Sequence, residues 1–500
     1  METHNLDLLV CGLAIFLAII IAQRARKHSA PFPPGPPRKP IIGNALDFDP
    51  LCAWTKFTEW KKTYGDLVGL DVLGTKILVL NSQKTINDLL DKRGNIYSDR
   101  PVFTAVGELM GLNQSMPLMP YGAEWRACRK LEHIVLGPGA VRQYEPVQEN
   151  FAAMLAKEII QDPDDFYNLI RLCAARIVLA VTYGLPARVT DREYIDHADE
   201  TMRIISKSTV PGAFLVDLIP ALKYFPKWLP FHRKCQYGKK MIDTMVTTPY
   251  ERVKMAIANG NAGPSLARDL LTSLKFDLTC WTGSMYGAGG ETTFGTTLVF
   301  LIVMALHPAI QARAQTELDS VVGRKRLPVI ADRGSLPYVE AVIQEVMRWH
   351  PMLPLSIARC ATQNDVYEGW VIPKGTIVMP NSWYILLLPI LLRLSDQPKA
   401  NCFIPERFLD KECTTTDIAT WAFGYGRRIC PGKLLGESNV FILIATLLAT
   451  FNILPPAEGQ LVPDFEHQLV SVPNRFKCRL VVRSEEKAEL ARQATDISLF

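Results

Sequence analysis

The sequence predicts a mainly α protein with a small β component, folded as a single domain behind an N-terminal membrane anchor. Three observations carry that expectation. The longest pattern, Leu278 to Leu306, is apolar on nearly every face towards its C-terminal end, as a core-crossing helix would be. Further helical patterns run over Gln143–Tyr183, Asp191–Ile205 and Tyr237–Ala258. Strand-like pieces are few and short, in DVLGTKILVL (Asp71–Leu80) and in VYEGWVIPKGTIVMP (Val366–Pro380), with turns at Glu368-Gly369 and Pro373-Lys374-Gly375.

Composition agrees with a packed globular body, at 48% apolar and 21% charged residues. Five hundred residues would allow about three domains by length, although single domains can run longer. The net charge of +5 is dispersed, and no Lys/Arg run is interleaved with aromatics, which argues against a nucleic-acid partner. Eleven cysteines show no repeated spacing, and an odd count without a framework indicates reduced thiols in a cytosolic setting. There is no C-x-x-C and no H-E-x-x-H, so zinc ribbons, thioredoxin-like motifs and His-based zinc sites lack their signatures.

From the N-terminus, Leu8–Ala22 is an unbroken apolar run of about 15 residues, lengthened on both sides by residues that can snorkel. Glu2 and Asp7 precede it, and Arg24, Arg26 and Lys27 follow, which places the rest of the chain on the cytoplasmic side. Positive charge after the run is the reverse of a signal peptide, so residues 1–27 read as a retained anchor. Residues 28–44 form a proline-rich hinge. The five prolines between Pro31 and Pro37 suit a stiff extended spacer. The catalytic body is residues 45–500. Within it Thr85–Lys92 reads as a short helix, and Pro308 ends the long one. That helix contains GAGGETT (Gly287–Thr293), whose three glycines cost about 1 kcal/mol each relative to alanine. Either another element packs unusually close there, or a flat ligand lies against a locally distorted helix.

The stretch FGYGRRICPG (Phe423–Gly432) carries the chemistry. A structural cysteine needs neither glycines nor flanking arginines, whereas a thiolate gains from close backbone N–H groups and from nearby cations. Elsewhere Glu345 and Arg348 in EVMRWHP lie at i, i+3 on one helix face. Arg407 lies in IPERF, and Trp125 and Arg129 stand at i, i+4.

Together these segments resemble one family, the haem-thiolate monooxygenases called cytochromes P-450. FGYGRRICPG matches the family's cysteine loop F-G-x-G-x-R-x-C-x-G. AGGETT is similar to its oxygen-activating helix, Glu345/Arg348 to its E-x-x-R, Ile404–Phe408 to its P-E-R-F, and Trp125/Arg129 to its W-x-x-x-R. The anchor and proline hinge resemble the microsomal branch. The likeness is strongest to fungal secondary-metabolism members of the O-methylsterigmatocystin oxidoreductase type. It implies haem b (iron protoporphyrin IX), with Cys430 as axial iron ligand. Phe423 would shield the thiolate and Gly424 would shape the loop beneath the porphyrin. Arg428, Arg129, Trp125 and Arg359 would hold the propionates. Glu345, Arg348 and Arg407 would form a buried structural triad. Thr292 and Glu291 would relay protons to oxygen, with Thr292 as a plain helix hydroxyl bonded to Ala288 as the alternative. Electrons would come from NADPH-cytochrome P-450 reductase, with cytochrome b5 as an optional donor, steered by Arg126, Lys130, Arg427 and Lys433. The implied location is the endoplasmic reticulum membrane, single-pass, with a cytosolic catalytic domain.

One segment departs from the family. Tyr384–Leu394 (YILLLPILLRL) is strongly apolar, and the interval from Asn381 to Pro405 is several residues too long. A gene-model error or a genuine insertion would each produce it, and a catalytically impaired haem protein is the corresponding alternative function. By resemblance, substrate would contact Val102–Gly111, Met202–Phe214, Leu353–Ile357 and Leu469–Val472. These are mostly apolar, with Ser356 and Ser471 as orienting groups, so the substrate would be lipophilic. The aromatic stretch Phe214–Phe231 would dip into the bilayer.

Overall fold

The computed structural model describes residues 31–185, 192–210, 212–274, 279–386, 402–409 and 421–493. Residues 1–27, expected from the sequence to form an anchor, and residues 387–394 of the apolar segment lie outside the described residues.

The helical core forms around Thr279–Leu306, which packs against Phe166–Tyr183, Pro230–Ala258 and Lys433–Thr450. Its second half has no polar face to turn to water: Leu298, Val299, Phe300, Leu301, Val303 and Met304 are all fully buried. Lys433–Thr450 is likewise buried from Asn439 onward. Pro163–Tyr183, Gly283–Leu306 and Lys433–Thr450 are long and apolar enough to cross a membrane, yet 67%, 72% and 72% of their apolar windows are buried inside the body. Their apolarity is explained by the core they build.

Two sequence patterns divide where local chemistry requires it. The helical pattern Gln143–Tyr183 becomes Glu145–Gln161 and Phe166–Tyr183, because Pro163 has no N–H to continue the ladder. The strand pattern Asp71–Leu80 becomes a hairpin of β1 (Leu67–Val72) and β2 (Thr75–Leu80), joined through Leu73 and Gly74 at φ 50° and 82°. The main sheet also contains β3 (Arg359–Cys360) and β6 (Ile377–Pro380), in the order β1-β2-β6-β3, with β2 and β6 parallel. Between them, β4 (Asp365–Tyr367) and β5 (Trp370–Ile372) pair antiparallel.

The proline-rich segment is docked along its described length. Gly69 donates its N–H to the Pro34 carbonyl at 2.8 Å, and Val371 donates to Pro31 at 2.9 Å. A Cβ on Gly35 would lie 1.9 Å from the Gly69 oxygen, so glycine is required for this approach. The segment from Pro31 is therefore part of the body, a contact that composition does not reveal.

Glu345, Arg348 and Arg407 meet in the interior. Arg348 donates to both Glu345 oxygens, from Nε at 2.6 Å and Nη2 at 2.8 Å, and Arg407 Nε lies 3.3 Å from Glu345 Oε1. The Arg348 and Glu345 side chains are wholly buried, and the Ile404 N–H closes the group by donating to Glu345 at 2.8 Å. The start of the apolar segment lies beside this group: Ile385 and Leu386 are fully buried, and the Leu386 carbonyl accepts from Arg348 at 3.4 Å. Its first residues are therefore core residues.

Candidate functional site

The cysteine loop is built by glycine. Gly424 and Gly426 adopt φ 90° and 53°. A Cβ on Gly426 would stand 2.2 Å from the Leu90 carbonyl oxygen. The loop closes where Cys430 N–H donates to the Phe423 carbonyl at 2.8 Å, and the Phe423 ring lies against Gly436. Gly432 then caps Lys433–Thr450, and its N–H donates to the Cys430 sulfur. Burial pushes the Cys430 thiol up to about 11, while the Gly432 N–H and then Arg129 pull the other way and Glu132 adds to the rise.

The arginines of the loop do not act as the sequence argument expects. Arg427 is exposed and donates to the Tyr121 hydroxyl at 2.9 Å. Arg428 turns away, with Nε donating to the Ser98 carbonyl at 2.8 Å and Nη2 to Met119 at 2.7 Å. Its guanidinium stacks 4.5 Å from the Trp125 ring centroid. The glycines serve the sulfur, whereas Arg428 serves another site and Arg427 faces solvent. A metal ion at the sulfur would deprotonate it outright, whatever the thiol's intrinsic proton affinity.

That other site is a cradle of buried guanidinium groups. Arg359, on β3 and 4% exposed, donates from Nη2 to the Tyr425 carbonyl at 3.2 Å, while its Nη1 is buried with no partner. Arg100 donates from Nε to Pro117 at 2.6 Å, and from Nη1 to Ile357 at 2.7 Å and Ala358 at 2.8 Å. Among the described residues none of Arg100, Arg359 and Arg428 forms an ion pair with a carboxylate. Burial first, then mutual repulsion, lowers Arg359 to about 9 and Arg100 well below its usual value. Burial also brings Arg428 to about 10. Trp125 and Arg129 lie one turn apart on Ala123–Leu136, where Arg129 pairs with Glu132 at 3.4 Å. Arg100 was not foreseen. It sits in SDRP with no motif to mark it, and only the fold brings it to Arg359 and Arg428.

Asp99 offsets part of the cost for Arg100 and Arg428, but no described carboxylate acts on Arg359, and a buried cation without a counter-ion costs several kcal/mol, so the cradle calls for anionic oxygen beside Arg359. Haem offers two carboxylates, and the orphaned Nη1 of Arg359 is a donor of the kind they need. The residues present therefore fit the group.

On Thr279–Leu306 two of the three glycines have a packing explanation. A Cβ on Gly287 would meet Met202 Sδ at 2.5 Å, and one on Gly289 would meet Val178 at 3.0 Å. Gly290 has nothing within 4 Å. Close approach of neighbouring helices thus accounts for Gly287 and Gly289. Thr292 Oγ1 donates to the Ala288 carbonyl at 2.7 Å, the bond of a plain helix hydroxyl, which leaves its oxygen able to accept. Glu291 leaves the helix about 100° away from Thr292. Its carboxyl is raised to about 7 by burial, Arg171 lowers it in part, and its Oε2 has no partner. Ser356 and Ser471, expected to orient substrate, already have protein partners. Ser356 bonds Ser382 at 2.9 Å, and Ser471 bonds His350 at 3.1 Å.

The chain is similar to known proteins over nearly its whole length. A family profile described as cytochrome P450 matches residues 33–480. Cytochrome P450 monooxygenase COX2 of Coprinopsis cinerea is 36% identical, over 96% of this chain and 94% of its own length. Cytochrome P450 monooxygenase 105 of Postia placenta is 37% identical, over 95% and 92%. Cytochrome P450 monooxygenase 226 of the same fungus is 35% identical, over 97% and 94%. With a thiol loop, a cationic cradle and a family match over nearly the whole described body, this chain belongs to the cytochrome P450 family of haem-thiolate monooxygenases.

Proposed function

We propose that the chain is a membrane-anchored fungal-type monooxygenase that binds haem b through Cys430 and hydroxylates a lipophilic small molecule of secondary metabolism or a xenobiotic. The overall reaction is R–H + O2 + two electrons + two protons → R–OH + water. Bound haem would supply the oxygen activation common to the family. This chain's residues do the rest. The Gly432 N–H donates to the ligand sulfur and Phe423 keeps water from it. Arg100, Arg359 and Arg428, with Trp125 and Arg129, bind the two propionates and fix the orientation of the ring. Thr292 Oγ1 accepts a proton and passes it on, and Glu291 is the carboxyl that replenishes it. Burial raises that carboxyl well above the usual carboxylate range, to about 7, which suits an acid that must reload near neutral pH.

Electrons come from NADPH-cytochrome P-450 reductase, and cytochrome b5 is an additional donor. Arg126, Lys130 and Arg427 are exposed, and Arg126 and the cysteine loop's Arg427 lie over the same Tyr121 ring, which supports an acidic docking partner, whereas Lys433 is engaged with Glu437 at 3.7 Å. Anchoring in the endoplasmic reticulum by residues 1–27 is supported by a second apolar surface. Leu215, Ile219, Tyr224, Phe225 and Trp228 are 46–82% exposed, an arrangement suited to a bilayer that also delivers substrate.

The observation that carries this reading is the partnerless Arg359 Nη1 within a cradle that also contains Arg428 of the cysteine loop. The test is the reduced, carbon-monoxide-bound spectrum of the full chain in membranes. A thiolate-type band that disappears in Cys430→Ser is expected. A histidine-type band, or pigment retained by Cys430→Ser, would refute it.

A further inference from the structure

A concave region lies along the Gly287, Gly290, Glu291 and Phe294 face of the Thr279–Leu306 helix. Phe166–Tyr183, Arg192–Ser208, Tyr286–Phe294 and the segment after Phe465 enclose a cavity of about 550 Å³. It opens to solvent past Arg203, Glu466, Asn474 and Arg475, all exposed. At its inner end Glu291 presents the buried Oε2 that has no partner. The other walls are charged. Arg171 and Asp165 come from the first helix and its approach, Asp196, Asp199, Glu200 and Arg203 from the second, Tyr286 from the central helix, and Glu466 and Arg475 from the last segment.

Arg171 is held on several sides. Its Nη1 donates to Asp199 Oδ2 at 3.1 Å, and its guanidinium lies 4.5 Å from the Phe294 ring centroid and 5.8 Å from that of Tyr167. Phe294 lies on the same helix as Glu291, less than a turn away, and both line the cavity with Arg171, so the guanidinium is held on the helix face that carries the carboxyl.

We propose that Arg171, anchored by Asp199 and by the faces of Phe294 and Tyr167, is the positioning residue that sets the proton affinity of Glu291, and that the cavity they share admits bulk protons to that carboxyl. The inference rests on the role given to Glu291 above. It adds where the protons enter and which groups poise the acid. Arg171 stabilises the carboxylate and Asp199 opposes it, in keeping with the directions in which each acts on Glu291. The two partners of one ion pair should therefore shift Glu291 in opposite senses, whereas loss of packing would not produce a sign change.

The experiment uses the full-length, haem-loaded protein in detergent, with reductase and NADPH. Infrared difference spectra against Glu291→Gln identify the carboxyl band of Glu291 and its midpoint. Hydrogen peroxide released per NADPH is measured across pH without any added substrate. Arg171→Gln should raise the midpoint by roughly one pH unit, Asp199→Asn should lower it, and Arg171→Lys should restore it. The pH dependence of the peroxide share should move with the midpoint. A Glu291 band that does not titrate with bulk pH, or that shifts the same way or not at all in Arg171→Gln and Asp199→Asn, would overturn the proposal. An unchanged peroxide share in Glu291→Gln would instead overturn the role of Glu291 itself, and the inlet with it.

Discussion

Replacing Arg359 with methionine should stabilise the haem-free protein and weaken its hold on haem. In the structure the guanidinium is 4% exposed, makes one hydrogen bond to the Tyr425 carbonyl, and leaves Nη1 unbonded. Its depression from 12.5 to about 9 corresponds to roughly 5 kcal/mol of unfavourable burial together with repulsion from Arg428. The sign follows from linkage. A base whose folded-state value is lowered carries its full penalty below the folded value, and the penalty is relieved only as pH rises from about 9 towards 12.5. At neutral pH the whole penalty is present. Methionine removes it, gives up a hydrogen bond worth about 1 kcal/mol, and loses some packing. A net gain on the order of 2–4 kcal/mol in apoprotein stability remains. In the holoprotein the same change removes a charge-assisted bond worth about 1.5–3 kcal/mol, so haem transfer to a scavenger such as apomyoglobin should accelerate about 10- to 100-fold. The assay is urea unfolding of protein expressed under haem limitation, beside haem-loss kinetics of loaded protein. If Arg359→Met destabilises the apoprotein, the guanidinium is a structural group and the cradle argument fails.

Three further predictions concern other parts of the molecule. Glu345→Gln leaves Arg348 and Arg407 buried without their shared anion and should cost about 3–5 kcal/mol in chemical denaturation, with haem content falling in parallel. Thr292→Ala should preserve haem content and the carbon-monoxide band while raising the peroxide released per NADPH several-fold; an unchanged peroxide share would remove its hydroxyl from the proton path. His350, stacked 3.7 Å from the Phe465 ring, is lowered to about 4 by burial. The unfolded chain therefore takes up a proton first, and stability should fall by roughly 3 kcal/mol as pH drops from 6.5 to 4, a slope that His350→Gln should flatten in acid unfolding curves.

The local segments were legible because their chemistry is local. The cysteine loop needs left-handed glycines within a few residues of the sulfur, so FGYGRRICPG displays both the candidate sulfur and the geometry that presents it. Pro163 and the Leu73-Gly74 turn show why two patterns had finer divisions than periodicity alone suggested. The glycines of GAGGETT remained ambiguous because a missing side chain does not say what approaches. Met202 and Val178 supply that answer from other helices.

Amino-acid order by itself determined the elements, the buried character of the central helices and the family to which the chain belongs, since each rests on periodicity, glycine and proline conformations, or contiguous motifs. Tertiary structure alone decided what the charged groups do. Arg100, Arg359 and Arg428 come from distant segments, and Arg428 points to Trp125 instead of the nearby sulfur. The proline-rich segment lies against β1, and Glu291 faces a cavity walled by Arg171 and Asp199. The physical reason is that the energy of a buried charge depends on which groups the fold places around it, and that environment is assembled across hundreds of residues.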